Sequence, residues 1–415
     1  MRTETRQSFI LLAGTAATAA LSLVYTLYVL NVLGTERAAD FSAALSLFAL
    51  CQLALGPING TVARFSAQYA GEGALGKVRV LSVEVARRVA VYGVAGFAVV
   101  LLLLRPLSAL LRYESVVPLL IAFAMLYVTM LIAVARGVLR GVQRYGPYNV
   151  NIVVEAAMRL GIGLLILPLL PDAAGALLAY LIALTATLAV SAVQLAAVWR
   201  GHRPQRVDGR AIREFTAPMF VMLITAAGFQ NLDMLVVKHV HQPVDAGIYS
   251  AAFRLAATIG VLATGFNTQL LPLMTSLHTQ ARALAGPFLR LSGWFLLLAA
   301  APLILFGLWP RDVLVALRLA DYEAAAPLLL GLSVARVLGY LGHMIALAGA
   351  ATGRFGFLWV YVPGLVAMAA GLVIWHETLQ AVVAVILTSQ AVTLAALIWF
   401  VIAPRRGRAM PGTPT

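Results

Sequence analysis

The most informative residues for chemistry in this chain are ionisable side chains inside long apolar runs. Glu155 and Arg159 lie four residues apart in the run from Tyr148 to Leu170, with the acid on the N-terminal side. This spacing puts both on one helix face, in the favoured order for an ion pair. At about 1.5 Å per residue, Arg159 lies roughly 17 Å into an apolar core about 30 Å thick. Two interpretations stay open: a self-neutralised structural pair, or an arginine available to an anionic ligand.

A second acid and base occur in two successive apolar runs joined by a tight turn. Asp233 and Arg254 each lie about ten residues from the turn near HQPVDAG, so they are expected at similar depth. One interpretation is a buried ion pair that holds two helices in register. The other is a site whose occupancy alternates between a proton, the counter-charge and a substrate.

A third group follows one helix face further along the chain. Arg336, Tyr340 and His343 are spaced by four and three residues, which aligns them on a helix. His343 alone is typical of a satisfied polar residue in a bundle, but Arg336 beside it favours a stripe lining a cavity. An ionisable group near the bilayer centre costs about 2.5–3.5 kcal/mol, so such groups usually pair or face a cavity.

Together these residues predict an interior that is balanced or net positive and suits an anionic substrate. The predicted substrate-binding residues are Arg159, Arg254, Arg336, Tyr340 and His343. Asp233 and Glu155 are predicted to provide coupling or counter-charge.

The elements that must position these groups are membrane helices. Hydrophobic residues make up 62% of the 415-residue chain and charged residues 11%, which leaves too few polar groups to cover a water-facing surface. Twelve apolar stretches are long enough to span a bilayer. The predicted spans are Phe9–Gly34, Phe41–Gly60, Val85–Leu104, Val116–Val138, Tyr148–Leu170, Ala173–Trp199, Phe215–Val240, Ala246–Leu273, Leu284–Trp309, Ala325–Ala350, Phe355–Trp375 and Leu379–Ala403.

The second half of the sequence repeats the first. FSAALSLFA from Phe41 resembles YSAAFRLAA from Tyr249, and GVQRYGPY around Arg144 resembles ATGRFGFL around Arg354. Six helices per half predict a parallel repeat. The fold class is therefore an all-α polytopic membrane protein with two six-helix lobes. The predicted divisions are 1–199 for the N-terminal lobe, 200–214 for a basic cytoplasmic linker, 215–403 for the C-terminal lobe and 404–415 for a cytoplasmic tail.

The deep charged residues have no charged equivalent in the other half of the repeat, unlike the uncharged residues that the two halves share. The repeat aligns Arg254 with Ser46, and it aligns Arg336 and His343 with Leu126 and Ala133. Scaffold residues follow the fold, whereas unmatched charges indicate a site specialised within one lobe.

Basic residues are distributed unequally between the two sides of the predicted membrane. The side of the N-terminus carries 20 of them and the opposite side six, which predicts both termini in the cytoplasm. The bias accounts for most of the net charge of +14 without nucleic acid. Residues 75–90 are predicted to form a basic amphipathic helix before the third span, lying on anionic lipid headgroups.

The signatures of common enzyme and cofactor sites are missing from the sequence. There is no Walker A motif, zinc-ligand spacing or dinucleotide fingerprint, and Cys51 is the only cysteine. The acids are too scattered to nominate a hydrolytic carboxylate pair. We expect no enzyme activity, no cofactor and no metal, and transport driven by an ion gradient or by the gradient of the substrate.

Three segments carry a resemblance to a known superfamily. They are GVLRGVQRYGPYNVNIVVEAAMRLGIGLLIL (137–167), NLDMLVVKHVHQPVDAGIYSAAFRLAATIG (231–260) and NTQLLPLMTSLH (267–278). In their order and spacing the chain resembles the multidrug/oligosaccharidyl-lipid/polysaccharide exporter superfamily, and most of all its polysaccharide and O-antigen flippases. The motif positions are Gly141, Arg144, Tyr145, Asp233, Gly247, Tyr249, Ala252, Arg254, Leu255 and Pro272.

The resemblance implies a V-shaped bundle that moves a polyprenyl-diphosphate-linked oligosaccharide across the bacterial inner membrane by alternating access. It implies arginines facing the diphosphate and glycan, coupling to a proton or ion gradient, and surface polysaccharide assembly as the role. The expected partners are the lipid-linked oligosaccharide, membrane lipids, and a polysaccharide polymerase and chain-length regulator.

Two other functions stay open. The first is a proton- or sodium-coupled drug/cation antiporter of the same superfamily. It is disfavoured because the first predicted helix, Phe9–Gly34, has no acidic residue, where some drug exporters have a cation-binding aspartate. The second is a non-transporting membrane partner of a glycan assembly complex.

Overall fold

The computed structural model describes residues 2–54, 56–205, 209–279 and 283–402, and all regular elements in these ranges are helices. The long helices are α1 (Arg2–Ala54), α2 (Gly56–Gly71), α3 (Leu75–Leu110), α4 (Val117–Gly141), α5 (Tyr145–Ile166), α6 (Ala173–Trp199), α7 (Gly209–Val240), α8 (Pro243–Thr279) and α9 (Ala285–Leu308). They are followed by the short α10 (Pro310–Ala316), then α11 (Ala326–Ala351), α12 (Leu358–Ile374) and α13 (Leu379–Ile402). Two 3₁₀ turns lie at Ala320–Ala325 and Phe355–Phe357.

The twelve predicted spans are present. Eleven helical segments of the described chain are long and apolar enough to cross a membrane, and the first of them, Gly14–Gln52, is broken by a kink at Gly34. That kink separates the first predicted span from the second. The twelve-helix, two-lobe fold class is confirmed.

Lipid explains why so many large apolar side chains lie on the outer surface. Leu102 on α3 is 80% exposed, and Trp359 on α12 is 85% exposed. In water such surfaces would drive association, whereas in hydrocarbon they cost nothing. A helix also satisfies its own backbone hydrogen bonds, which lipid cannot do.

The second and third spans are longer than the sequence indicated. Helix α2 ends at Gly71, beyond the predicted end of the second span at Gly60, and α3 begins at Leu75. Residues 75–90 are helical as predicted, but they form the first part of a continuous α3, so their placement as a helix before the third span is wrong. Five of the 20 basic residues counted on the side of the N-terminus lie on α2 and α3: Arg64, Lys77, Arg79, Arg87 and Arg88.

The internal repeat is visible in the backbone. Helices α4 and α11 end at Gly141 and Ala351. Two residues after each end, Gln143 and Gly353 have the positive φ of the left-handed region. The loops before α4 and α11 also match, since Arg112 and Arg318 both have positive φ. The domain limits remain a prediction; part of the linker (206–208) and the whole tail (404–415) lie outside the described residues.

The two lobes meet through α1, which packs against both α7 and α8. Several hydrogen bonds between the lobes lie where α1 kinks and α7 turns into α8. Tyr322 donates to the Leu30 carbonyl at 2.9 Å, and Arg112 donates to the Val240 carbonyl at 3.4 Å. We call this region, residues 30–40, 110–113, 238–247 and 317–322, the closed end.

Gly34 is expected to be intolerant of substitution. Its φ of 66° and ψ of −177° are accessible essentially only to glycine. Gly34→Ala should lower the free energy of unfolding by about 1–3 kcal/mol, measured as reduced thermal stability in detergent. Gly161→Ala is the matched control: it lies inside α5 with open space where a Cβ would be, so helix propensity alone should leave it neutral or slightly stabilising. Equal stability of the two variants would contradict this assignment.

Candidate functional site

Arg336 and Asp233 form the most buried ion pair described in the structure. The Arg336 guanidinium on α11 lies 2.9 Å from the Asp233 carboxylate on α7, and their side chains are 4% and 0% exposed. Tyr249 on α8 donates to the same carboxylate oxygen at 2.8 Å, and Arg336 also donates to the Gln230 carbonyl at 2.6 Å. Three helices of the C-terminal lobe are thereby joined.

The predicted pairing of Asp233 with Arg254 is wrong. Asp233 pairs with Arg336 instead, and Arg254 has no carboxylate partner among the described residues. Distance from the α7–α8 turn predicted a similar depth for both groups. It could not give the rotation of each helix, which turns Asp233 toward α11 and Arg254 toward the other lobe.

Arg254 is a contact between the lobes. Its guanidinium on α8 donates to the carbonyl of Ser42 on α1 at 2.6 Å and to the Ser42 hydroxyl at 3.2 Å. It lies over the rings of Phe41 and Phe253, at 5.8 and 5.1 Å. Half-buried, it is held by neutral groups alone.

The predicted pairing of Glu155 with Arg159 is also wrong. Glu155 lies 2.6 Å from Arg136 on α4, which donates to Asn151 as well, at 2.8 Å. An ion pair on one helix stabilises by only about 0.2–0.5 kcal/mol. Glu155 therefore pairs with the arginine of a neighbouring helix, which satisfies two acceptors at once. Arg136 was not among the residues predicted from the sequence, although it is an ionisable residue inside the predicted span Val116–Val138.

Arg159 is therefore buried without a carboxylate among the described residues. Its guanidinium donates to the Ser22 hydroxyl and lies over the rings of Tyr180 at 4.2 Å and Tyr25 at 5.3 Å. Its Nε is buried and has no hydrogen-bond partner. Helices α1, α5 and α6 of the N-terminal lobe supply this environment.

Aromatic rings connect the three predicted arginines into one continuous group. Tyr25, beside Arg159, lies 6.5 Å from Phe41, and Phe41 lies against Arg254. Phe253 then lies between Arg254 and Arg336, at 5.1 and 4.6 Å. We call these six residues the arginine–aromatic chain: Arg159, Tyr25, Phe41, Arg254, Phe253 and Arg336. It runs from one lobe to the other, and no short sequence pattern indicated its aromatic members.

The other two predicted substrate-binding residues lie on the same helix as Arg336 but differ in their contacts. Tyr340 donates to the Gln230 side chain at 3.3 Å and packs edge-on against Phe295. His343 is buried, and its Nδ1 has no hydrogen-bond partner. The structure brings Tyr340 next to the Arg336 group; no described contact joins His343 to it.

The charge balance of this interior is positive. Asp233 neutralises Arg336 and Glu155 neutralises Arg136, which leaves the charges of Arg159 and Arg254 without an acidic partner in the described chain. The same part of the chain holds no group of three or more His, Cys, Asp or Glu residues placed to bind a metal ion.

Comparisons with known proteins give the family and the fold of the chain. A family described as "Polysaccharide biosynthesis protein" matches residues 5–278. A MATE multidrug resistance transporter in its inward-facing conformation aligns with a TM-score of 0.74 and 15% identity, over 97% of this chain and 100% of that one. A transporter from Pyrococcus furiosus, described as having a binding pocket of reversed polarity, aligns at 0.73 and 16%, over 95% and 94%. No curated protein matches the sequence.

The fold is of the class seen in solved transporters of the multidrug/oligosaccharidyl-lipid/polysaccharide exporter superfamily. Within that class, the chain belongs to the polysaccharide biosynthesis protein family, whose model matches about two thirds of its length. The predicted resemblance is confirmed at this level.

The Arg136–Glu155 pair generates a direct test of the corrected pairing. Glu155→Gln leaves Arg136 as an uncompensated buried charge and should cost about 3–5 kcal/mol of stability, measured by unfolding in detergent. In a double-mutant cycle, Arg136→Gln should recover much of that loss. Arg159→Gln should add to Glu155→Gln without coupling. A coupling energy between Glu155 and Arg159, with none between Glu155 and Arg136, would contradict the corrected pairing and support the pair on one helix.

Proposed function

We propose that this protein is a flippase that moves a polyprenyl-diphosphate-linked oligosaccharide across the bacterial inner membrane by alternating access. The observation that carries the proposal is the pair of arginines, Arg159 and Arg254, that lack an acidic partner in the described chain and belong to the arginine–aromatic chain. The cargo would be used to assemble surface polysaccharide such as O-antigen, capsule or exopolysaccharide.

The energetics of Arg159 favour an anionic ligand. Removing a guanidinium from water costs several kcal/mol, whereas a cation–π contact returns about 2 kcal/mol when desolvated. Two rings and one serine hydroxyl leave Nε unsatisfied. A diphosphate supplies both the missing charge and the missing acceptors, and arginine binds phosphate oxygens in a bidentate manner.

The position of Arg254 suits a ligand that is handed between lobes. Its present partners in the N-terminal lobe, the carbonyl and hydroxyl of Ser42, are neutral. A phosphate oxygen is a stronger acceptor for a guanidinium than either of them. The diphosphate would therefore compete with Ser42 for Arg254, while the polyprenyl tail remains in lipid and the glycan occupies the space between the lobes.

The remaining predicted residues have supporting roles in this proposal. Arg336 and Tyr340 line the C-terminal part of the site, and His343 lies further along α11. Asp233 and Glu155 act as counter-charges, since each is held by an arginine. A polysaccharide polymerase and a chain-length regulator remain the predicted partners.

The orientation of the protein rests on its basic residues. The bias of 20 to six supports both termini in the cytoplasm. With that orientation the closed end faces the periplasm, so a substrate would enter from the cytoplasmic side.

The first test is export of surface glycan in a strain from which the native copy of this chain has been deleted. Arg159→Ala and Arg254→Ala should each reduce surface glycan by at least about tenfold, since a hydrogen bond to a charged group contributes about 1.5–3 kcal/mol. Arg105→Ala, an exposed position on α3, is the control for expression and insertion. Full export by both deep variants would reject the basic site.

A binding measurement separates charge recognition from transport. The purified protein should be stabilised thermally by a short polyprenyl diphosphate more than by the matching uncharged polyprenol. Arg254→Ala should weaken the diphosphate effect by about tenfold or more, and Arg254→Lys should recover it in part because lysine retains charge without bidentate geometry. Equal stabilisation by both lipids would contradict diphosphate recognition.

The second candidate is a proton- or sodium-coupled drug/cation antiporter, which the multidrug transporters among the structural relatives favour. It would need an acid free to bind a cation, and both deep acids are held by arginines. Its test is resistance of a drug-sensitive strain expressing this protein. Resistance lost in Asp233→Asn, with glycan export unaffected by any deep arginine variant, would select the antiporter.

A further inference from the structure

One ion pair in the described chain joins the two lobes. Asp40, on α1 just after the Gly34 kink, lies 2.6 Å from Lys238 near the end of α7. The other described ion pairs each stay within one lobe. The Lys238 side chain is 5% exposed and that of Asp40 is 26% exposed. Asp40 Oδ1, the atom next to Lys238, is itself buried, so the exposed part of the Asp40 side chain lies away from the ion pair.

Neutral groups from the N-terminal lobe hold the ammonium in place. The Lys238 Nζ lies 5.3 Å from the centre of the Tyr113 ring and donates to the Arg112 carbonyl at 3.4 Å. Tyr113 in turn donates to the backbone carbonyl of Asp40 at 2.7 Å. Lys238 therefore keeps two stabilising contacts when the Asp40 carboxylate loses its charge.

Other charged groups near this pair have their own partners or the same sign as Asp40. Glu114 acts electrostatically on Asp40 as a second negative charge. Arg112 donates to the Val240 carbonyl, and the His239 ring bonds to the Leu110 carbonyl. In the described contacts, Lys238 is the cation that compensates Asp40.

Opening of this end must break the pair. One MATE transporter structure is inward-facing and another is outward-facing, and this chain aligns with both, at TM-scores of 0.74 and 0.69. Separating the lobes at the closed end removes Lys238 from Asp40. The deep acids behave differently: Asp233 and Glu155 pair within their own lobes and can keep their partners in either conformation.

We propose that Asp40 is the proton-binding site that couples opening of the closed end to pH. The ionised carboxylate attracts Lys238 and favours closure. A proton taken up by Asp40 from the aqueous phase removes that attraction and favours separation of the lobes. Asp40 has its partner in the closed conformation but not in the open one. By linkage, the equilibrium between the two conformations therefore depends on the protonation of Asp40. The ion pair thus contributes to closure at higher pH, and that contribution is lost as the pH at this end falls.

This inference goes beyond the substrate assignment and does not depend on it. It needs only two lobes that separate at the closed end. With the orientation proposed above, the acidic side of an inward proton gradient would open the protein toward the periplasm, where a flippase releases its cargo.

The test is the distance across the closed end in the full chain, reconstituted in lipid without substrate. Spin labels at S115C and Q242C, two exposed positions on opposite lobes, report the separation once the single native cysteine is replaced by C51S. Between about pH 8 and about pH 5, the long-distance population should rise several-fold in the otherwise unaltered protein. Asp40→Asn should populate the long distance at every pH, with no pH response.

Two further variants separate proton binding from loss of contact. Tyr322→Phe removes the neutral hydrogen bond between the lobes to the Leu30 carbonyl; it should increase opening and retain the pH response. Lys238→Met should open this end at neutral pH and leave little further response to acid, and the exchanged pair D40K/K238D should restore closure. A pH response that survives in Asp40→Asn, or no response in the unaltered protein, would overturn the proposal. If Arg159→Ala loses glycan export but keeps the pH response, the variant has damaged the substrate site and left the Asp40 site intact.

Discussion

A charge that leaves water needs a partner, and this requirement organises the interior of the bundle. The desolvation of one ion costs more than a typical hydrogen bond returns, so the helices are fixed relative to each other where charges meet. Asp233, Arg336 and Tyr249 join three helices of the C-terminal lobe, and Arg136 joins α4 to α5 in the N-terminal lobe through Glu155 and Asn151. These two clusters connect helices within each lobe and leave the two lobes unconnected by any deep ion pair of the described chain.

The charges that remain after this pairing have a different distribution. Arg159 and Arg254 are surrounded by aromatic rings and neutral oxygen atoms, and the rings link them to each other and to Arg336. Aromatic faces stabilise a guanidinium without neutralising it. A protein can therefore keep positive charge in an apolar interior and still fold, and in the proposed function that charge binds the anionic part of the substrate.

The contacts between the lobes fall into two kinds with different consequences. Tyr322 with the Leu30 carbonyl, and the backbone of Gly247 packed against Thr35, are neutral contacts that respond to shape alone. Asp40 with Lys238 and Arg254 with Ser42 involve charges, so a proton or an anion can compete with them. The same surface that closes one end of the molecule thus contains the groups through which ions can open it.

The sequence by itself determined the solvent, the helices and the residues of interest. Apolar runs of sufficient length can exist only as membrane helices, and a deep charge is costly wherever it occurs, so Arg159, Arg254, Arg336 and Asp233 were identifiable before any partner was known. The repeat also fixed the two lobes, since the helix ends recur at the same interval. Only the tertiary structure decided which charges pair, because pairing depends on how each helix is rotated and which neighbour it meets. That information comes from packing across the bundle. It pairs Asp233 with Arg336 and not with Arg254, and Glu155 with Arg136 and not with Arg159.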